Sequence, residues 1–235
     1  DNTNDLVDTV VGADGIFSNT KSFFEKKKNK PKFNKALAIR TILKSKSEFN
    51  INENNVSLIM GKNCHLVIYP INKNSELNLV CIIRDIKSDP SNLKSLIEER
   101  VLSQNPDLKK LFEGDLKSWS LYSTPKILPS SNNKVFYIGD AFNGFLPTLA
   151  QGAGQSIESA FELFNLIKDN KPDTQNIYFR KRSKRAIIIR KRSNLNFFVF
   201  HFSSSIMQKI RNIFMKFLVK RKSFINYYLG SIYRN

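Results

Sequence analysis

The amino-acid sequence predicts an α/β (α+β) fold, and three stretches carry that expectation. Residues 135–138, Val-Phe-Tyr-Ile, form a short apolar run that stops at Gly139, as a buried strand of a parallel sheet does, and a helical pattern follows from residue 148. Between residues 36 and 83, strand-length apolar runs are separated by loops with Asn, Lys and Gly, the pattern of an antiparallel sheet. Beyond Asp173 the chain holds no acidic residue and reads as basic helices.

Length and composition allow such a fold. A chain of 235 residues with 41% apolar residues can bury one large core or two small ones. No apolar run reaches the roughly 18 residues of a membrane-spanning helix. Cys64 and Cys81 lie in strand-like apolar runs without metal-ligand spacing, so no metal site is expected and the thiols fit a reducing, cytoplasmic setting.

Taken in order, residues 6–11 read as a strand ending at Gly12, and Asp14-Gly15 as a turn in which Gly15 is free to take positive φ. Residues 22–35 are a lysine-rich, solvated connection. Strands are expected at 36–43, 56–60, 65–71 and 77–83, then a helix from Asp89-Pro90 to about Leu102, with Asp as cap and Pro in the first turn. A strand at 116–122 is expected to return toward the 135–138 strand. Asp140 falls at the carboxyl end of that last strand. Open α/β sheets bind ligands at this edge, and a carboxylate there can accept hydrogen bonds from a sugar or ribityl chain. After Pro147 a helix is expected to begin at Thr148 or Leu149. Its first turn carries Gly152, Ala153 and Gly154, small residues that leave backbone N–H groups uncovered for an anionic or electron-rich cofactor edge. Ile157, Ala160, Phe161 and Phe164 recur at helical spacing and are expected to pack this helix on the sheet. On the pattern alone, an ordinary strand-loop-helix unit with a glycine-rich turn fits these residues equally well.

The residues themselves narrow the choice. Gly139-Asp140-Ala141, Pro147, Ala150-Gln151-Gly152-Ala153 and Ile157-Glu158 resemble the GD flavin signature of the single-component FAD-dependent aromatic hydroxylases. Residues 10–18, VVGADGIFS, resemble the DG motif of the same family, in the right order and at about the right distance. The resemblance implies FAD as cofactor, NADH or NADPH as reductant, O2 as co-substrate and a small phenolic aromatic substrate. It also implies flavin contacts at Asp14, Gly15, Gly139, Asp140, Pro147, Gln151, Gly152 and Ala153, with Asp14 near the pyrophosphate. Two departures stand out. Lys21 occupies a place where the family usually has Arg, keeping the charge without the bidentate fork. Phe142 and Asn143 follow Gly-Asp-Ala where family members often have Ala and His. Nothing resembles the Gly-x-Gly-x-x-Gly helix start that holds the ADP half of FAD, so the chain reads as the C-terminal part of a longer hydroxylase, without its N-terminal half. An incomplete three-layer FAD-binding domain is therefore expected over residues 1–26 and 123–172. A substrate domain, mostly antiparallel sheet, is inserted over 27–122, and a basic helical region covers 173–235.

Within the sheet, side-chain alternation puts His65, Val67 and Tyr69 on one face. Residues 64–70, Asn78-Leu79-Val80, residues 119–122 and the stretch 178–201 resemble the salicylate and 3-hydroxybenzoate hydroxylase branch. That resemblance implies a catalytic His65 acting as base on the substrate and a Tyr69 that helps bind it. An ordinary imidazole pKa near 6.5 suits removal of a phenolic proton. A half-buried sheet histidine beside a packing tyrosine is the other reading. In the tail, 15 Lys and Arg fall between Arg180 and Arg234. Ile187, Ile188 and Ile189 between basic clusters fit a helix with one packed side. Ile206, Ile210, Ile213, Phe214, Phe217 and Leu218 form an apolar stripe, with Lys209, Arg211, Lys216 and Lys220 mostly off it. The stripe is expected to pack on the body of the protein, the other reading being peripheral attachment to an anionic membrane surface. No nucleic-acid module is recognisable. The alternative to an enzyme is a non-catalytic remnant or a basic membrane-binding module.

Overall fold

The computed structural model describes residues 6–25, 30–43, 55–72, 76–87, 92–170 and 172–233. In chain order its elements are β1 (Val10–Gly12), α1 (Asn19–Phe24), β2 (Lys32–Leu43), β3 (Ser57–Met60), β4 (Cys64–Ile71), β5 (Glu76–Arg84), α2 (Leu93–Ile97), β6 (Lys117–Ser123), β7 (Val135–Tyr137), α3 (Gly139–Asn143), α4 (Gly152–Lys168), α5 (Thr174–Phe200), α6 (Ser205–Leu218) and α7 (Lys222–Tyr233). A wide helical turn continues α2 over Glu98–Leu102, and tight helical turns cover Pro106–Phe112 and Pro147–Leu149. The chain divides into two compact units, residues 1–33 with 122–196 and residues 34–121 with 197–235.

The second unit is built on a five-stranded sheet in the order β3-β4-β5-β2-β6. Its strands β3, β4, β5 and β2 pair antiparallel, with Leu66 opposite Cys81 and Ile68 opposite Leu79. Alternation delivers one apolar face: Ile39, Leu66, Ile68, Leu77, Leu79, Cys81 and Ile83 are all essentially sealed from water. Burying each such side chain contributes roughly 1.5–3 kcal/mol. The strand expected at 116–122 exists as β6, at the sheet edge beside β2. Asn92 caps α2 by accepting from the Lys94 and Ser95 amides; the expected cap at Asp89-Pro90 lies outside the described residues.

In the first unit β1 and β7 form a parallel ladder, with Val10 opposite Val135 and Gly12 opposite Tyr137. The ladder is shorter than the run 6–11, because Leu6 and Val7 stand in solvent. Helix α4 covers it with Leu163 and Leu166, which pack with Phe136 and Tyr178. This corrects the expected face: Ile157, Phe161 and Phe164 point to solvent at 71%, 66% and 59% exposure. The reason is polar. Gln155 and Ser159 are buried, Ser159 Oγ accepts from the Gly139 amide, and Arg182 of α5 bridges Glu158 and Glu162. Turning the apolar stripe inward would strand that nearly buried guanidinium. Helix α5 has one packed side, as expected, through Arg182, Ala186, Ile189 and Ser193.

A second correction concerns α6, in the other unit. Its apolar stripe does not pack: Ile206, Ile213, Phe214 and Phe217 are each more than half exposed, while Arg211 is 3% exposed. The Arg211 guanidinium donates to the Phe200 carbonyl at 3.1 Å, the Val199 carbonyl at 3.5 Å and the Met60 carbonyl at 3.3 Å. These first two are end carbonyls of α5, which lack intrahelical partners and carry the negative end of its dipole. Capping them with a planar cation fixes the rotation of α6 and leaves the stripe outside.

Candidate functional site

The turn between β1 and α1 is held by its own side chains. Gly15 takes φ 79°, the left-handed conformation expected of it. The Asp14 carboxylate accepts from the Ser18 hydroxyl and from the Thr20 amide at 2.9 Å. Ser18 Oγ in turn accepts from the Lys21 amide at 2.9 Å and caps α1. Partial burial pushes the Asp14 pKa up, but the Ser18 and Thr20 hydrogen bonds outweigh it and hold the carboxyl at about 2. Lys21 reaches across to β7 and α3. Its ammonium donates to the carbonyls of Ala141 at 3.0 Å and Phe142 at 3.3 Å and stands over the Tyr137 ring at 5.3 Å. Burial lowers its pKa, with Glu25 opposing. A point charge serves two divergent carbonyls without the planar fork that Arg would bring.

At the end of β7, Gly139 takes φ 56°, and a Cβ there would sit 2.7 Å from Ser156 Oγ, so only glycine lets α4 approach this closely. Asp140 opens α3 with its carboxylate at the surface, and among the described residues no hydrogen bond or ion pair engages it. Surrounding protein desolvates the carboxyl and raises its pKa. Pro147 starts the tight turn, Ala150 is left-handed at φ 52°, and Gln151 occupies the cap position of α4. The helix thus begins at Gly152, later than Thr148 or Leu149, with the same small residues in its first turn. Gln151 is buried, its side-chain Oε1 accepting from Gln155 Nε2 at 3.2 Å. Gly152 and Ala153 are exposed, and the space where a Gly152 Cβ would stand is open for 4 Å. Asn143 completes the group. It is 1% exposed, yet neither its amide nitrogen nor its oxygen has a protein partner. An unpartnered buried amide is costly, and sequence reasoning missed it apart from noting a departure from the family pattern.

His65 and Tyr69 belong to the other unit and lie on one face of β4, roughly 13 Å apart along the strand. Tyr69 is half-buried and pairs in register with Asn78. His65 is 1% exposed, with Phe200 edge-on at 5.2 Å. Its Nδ1 lies 2.9 Å from His201 Nε2, and His201 Nδ1 lies 2.6 Å from the Phe197 carbonyl. Burial, reinforced by His201, depresses the His65 pKa to about 3. The freely titrating imidazole of pKa near 6.5 is thereby corrected to a neutral, sealed one. His201, 136 positions away, gave no sequence signal beyond lying in the stretch that resembles the hydroxylase branch.

A family model described as squalene epoxidase matches residues 7–230. Salicylate hydroxylase of Pseudomonas putida is 26% identical over 202 residues, covering 75% of this chain and 46% of that protein. The FAD-dependent monooxygenase OpS4 of Beauveria bassiana is 27% identical, covering 87% and 53%. 3-Hydroxybenzoate 6-hydroxylase 2 of Aquipseudomonas alcaligenes is 25% identical, covering 75% and 58%. The chain therefore spans about half the length of these relatives. Among solved structures, Klebsiella pneumoniae HpxO complexed with FAD and uric acid superposes with a TM-score of 0.80 at 12% identity, over 95% of this chain and 59% of that one. A salicylate hydroxylase substrate complex superposes with a TM-score of 0.71 at 17% identity, over 97% and 64%. At such identities these two speak for the fold, whose mixed helix and antiparallel-sheet build they share. Matched over almost its whole length, the chain belongs to the squalene epoxidase family.

Proposed function

We propose that the chain provides flavin contacts in its first unit and aromatic-substrate contacts in its second, as part of an FAD-dependent monooxygenase that hydroxylates a phenolic ring with NADH or NADPH and O2. The observation that carries this reading is the set of unspent polar groups at the end of β7: the unengaged Asp140 carboxylate, the unpartnered Asn143 amide and the open first turn of α4 at Gly152 and Ala153. These fit a flavin, which offers ribityl hydroxyls to a carboxylate and an electron-rich ring edge to helix N–H groups. Asp14 and Gly15 shape the turn beside them, and Gly139, Pro147 and Gln151 set the backbone. When bound, the flavin supplies the redox and oxygen-transfer chemistry. The chain's share is to hold the substrate ring through Tyr69 and to take the phenolic proton at His65, which makes the ring a stronger nucleophile. In this reading a dinucleotide-binding segment supplies the remaining contacts. The outward stripe of α4 at Ile157, Phe161 and Phe164 is an apolar face of the right kind to seat it.

Flavin fluorescence quenching tests the assignment directly. Titrating the chain with FAD, Asp140→Ala and Gly152→Val should weaken binding at least tenfold, whereas His65→Gln should not change it. Equal binding by the Asp140 and His65 variants would remove the basis for the reading.

A second reading concerns location and rests on α6. An exposed apolar stripe flanked by Lys209, Lys216, Lys220 and Lys222, on a chain of formal net charge +18, is suited to lie on an anionic membrane surface. Each cation near such a surface adds about 1 kcal/mol, screened by salt. Among the described residues no helix is long and apolar enough to cross a membrane. Sedimentation with anionic vesicles, reduced by high salt and by Phe214→Ser, is the expected result; equal binding to neutral vesicles overturns it.

A further inference from the structure

The two histidines of the chain meet in the second unit, and the hydrogen-bond chain they form determines where each proton sits. The Phe197 carbonyl can only accept, so the His201 nitrogen 2.6 Å away, Nδ1, must carry a proton. Burial lowers the His201 pKa despite the nearby Phe197 and Ile82 carbonyls, so the ring is neutral at pH 7 and its Nε2 holds a lone pair. His65 Nδ1, 2.9 Å from that lone pair, must then be the donor. His65 is left with its own lone pair on Nε2. A neutral histidine has one nitrogen of each kind, so the 2.6 Å contact to the Phe197 carbonyl and the 2.9 Å contact between the rings together set the state of both, with the Ile82 carbonyl the competing acceptor.

We propose that His201 is a positioning residue that holds His65 as the Nδ1–H tautomer, with Nε2 as the proton-accepting nitrogen, and that it takes up the proton His65 passes on. This rests on the reading of His65 as the base. In the step, the substrate O–H bond breaks and its proton bonds to His65 Nε2, leaving a phenolate. The His65 Nδ1 proton moves to His201 Nε2, and the positive charge ends on His201. That ring closes the last turn of α5, its backbone amide donating to the Phe198 carbonyl and its Nδ1–H to Phe197. Charge at this place meets the negative end of a helix dipole. Burial opposes it most, the Phe197 and Ile82 carbonyls favour it, and Arg84 opposes and Asp85 favours it.

Because the chain has two histidines, nitrogen-15 imidazole spectra of the 235-residue protein resolve both rings, and single substitutions assign them. The expected result is an Nδ1–H tautomer for both. His201→Phe should switch His65 toward Nε2–H, whereas His201→Gln, whose amide oxygen still accepts from Nδ1–H, should leave it unswitched. A His65 that is Nε2–H in the unaltered protein overturns the proposal, as does one that ignores His201→Phe in a protein still folded by circular dichroism. In the flavin-loaded enzyme, His201→Gln should lower kcat for hydroxylation about tenfold or more with little change in KM, since Gln keeps the tautomer but cannot receive the proton. An unchanged kcat there refutes the proton uptake. If the tautomer behaves as expected but His65→Gln hydroxylates normally, His201 still positions His65, and it is the reading of His65 as base that has failed.

Discussion

Leu79 in β5 and Phe161 in α4 are large apolar residues in regular elements, yet the first is fully buried and the second is 66% exposed. The contrast runs through the two units. The sheet of the antiparallel unit satisfies its own apolar surface, because a strand alternates with period two and four paired strands present one continuous face. The parallel unit has a described ladder of only two short strands, so it cannot bury a whole amphipathic helix and commits the inner side of α4 to Leu163, Leu166 and a polar contact with α5. The sheet is held by packing. Helices α4 and, in the sheet's own unit, α6 are instead set by a buried arginine and leave an apolar face outside.

Four experiments sharpen or break that contrast, from the largest effect downward. Leu79→Ala should cost about 2–5 kcal/mol, since β4 and β2 on either side cannot both collapse into the cavity. Urea unfolding followed by Trp119, the chain's single tryptophan and a residue of β6, reads it. A loss below 1 kcal/mol would show that the sheet core is loosely packed.

Acid should separate the units. His65 has a folded pKa of about 3 against 6.5, so below pH 6.5 the unfolded chain binds the extra proton and the second unit loses stability as pH falls from 6.5 to 3, by a few kcal/mol. His65→Gln should flatten that slope. Asp14, at about 2 against 3.8, favours the fold above pH 3.8 and loses its contribution only as pH falls from there to 2. Asp14→Asn should alter the lower window alone. One shared window for both variants would contradict the assignment.

Gly139→Ala should cost about 1–2 kcal/mol, because it places a Cβ in a left-handed conformation and against Ser156. Adding Ser156→Gly should recover the steric part and leave the conformational part. Smallest of all, Phe161→Ser on the outer face of α4 should change stability by less than about 0.5 kcal/mol. A loss comparable to that of Leu79→Ala would show that the stripe is covered by the rest of the protein.

Much of this architecture is legible from the residues. The β4 and β5 strands, the Gly15 turn, the strand that ends at Gly139 and the small first turn of α4 all follow from local rules: period-two alternation, the steric freedom of glycine, and the need for bare N–H groups at a helix start. Those rules act within a few residues of chain, so one sequence suffices to read them. What it leaves open is which of two faces wins when a helix has both an apolar stripe and a buried polar group. In α4 and α6 the stripe looked inward by periodicity and lies outward because Arg182 and Arg211 need acceptors that exist only after folding. The same holds for His65. Its strand phase with Tyr69 was determined by the sequence, but its charge state and the nitrogen that bears its proton were decided by a histidine 136 residues away and the carbonyl behind it. Desolvation and tautomer choice are properties of a surrounding volume, and only the tertiary structure assembles that volume.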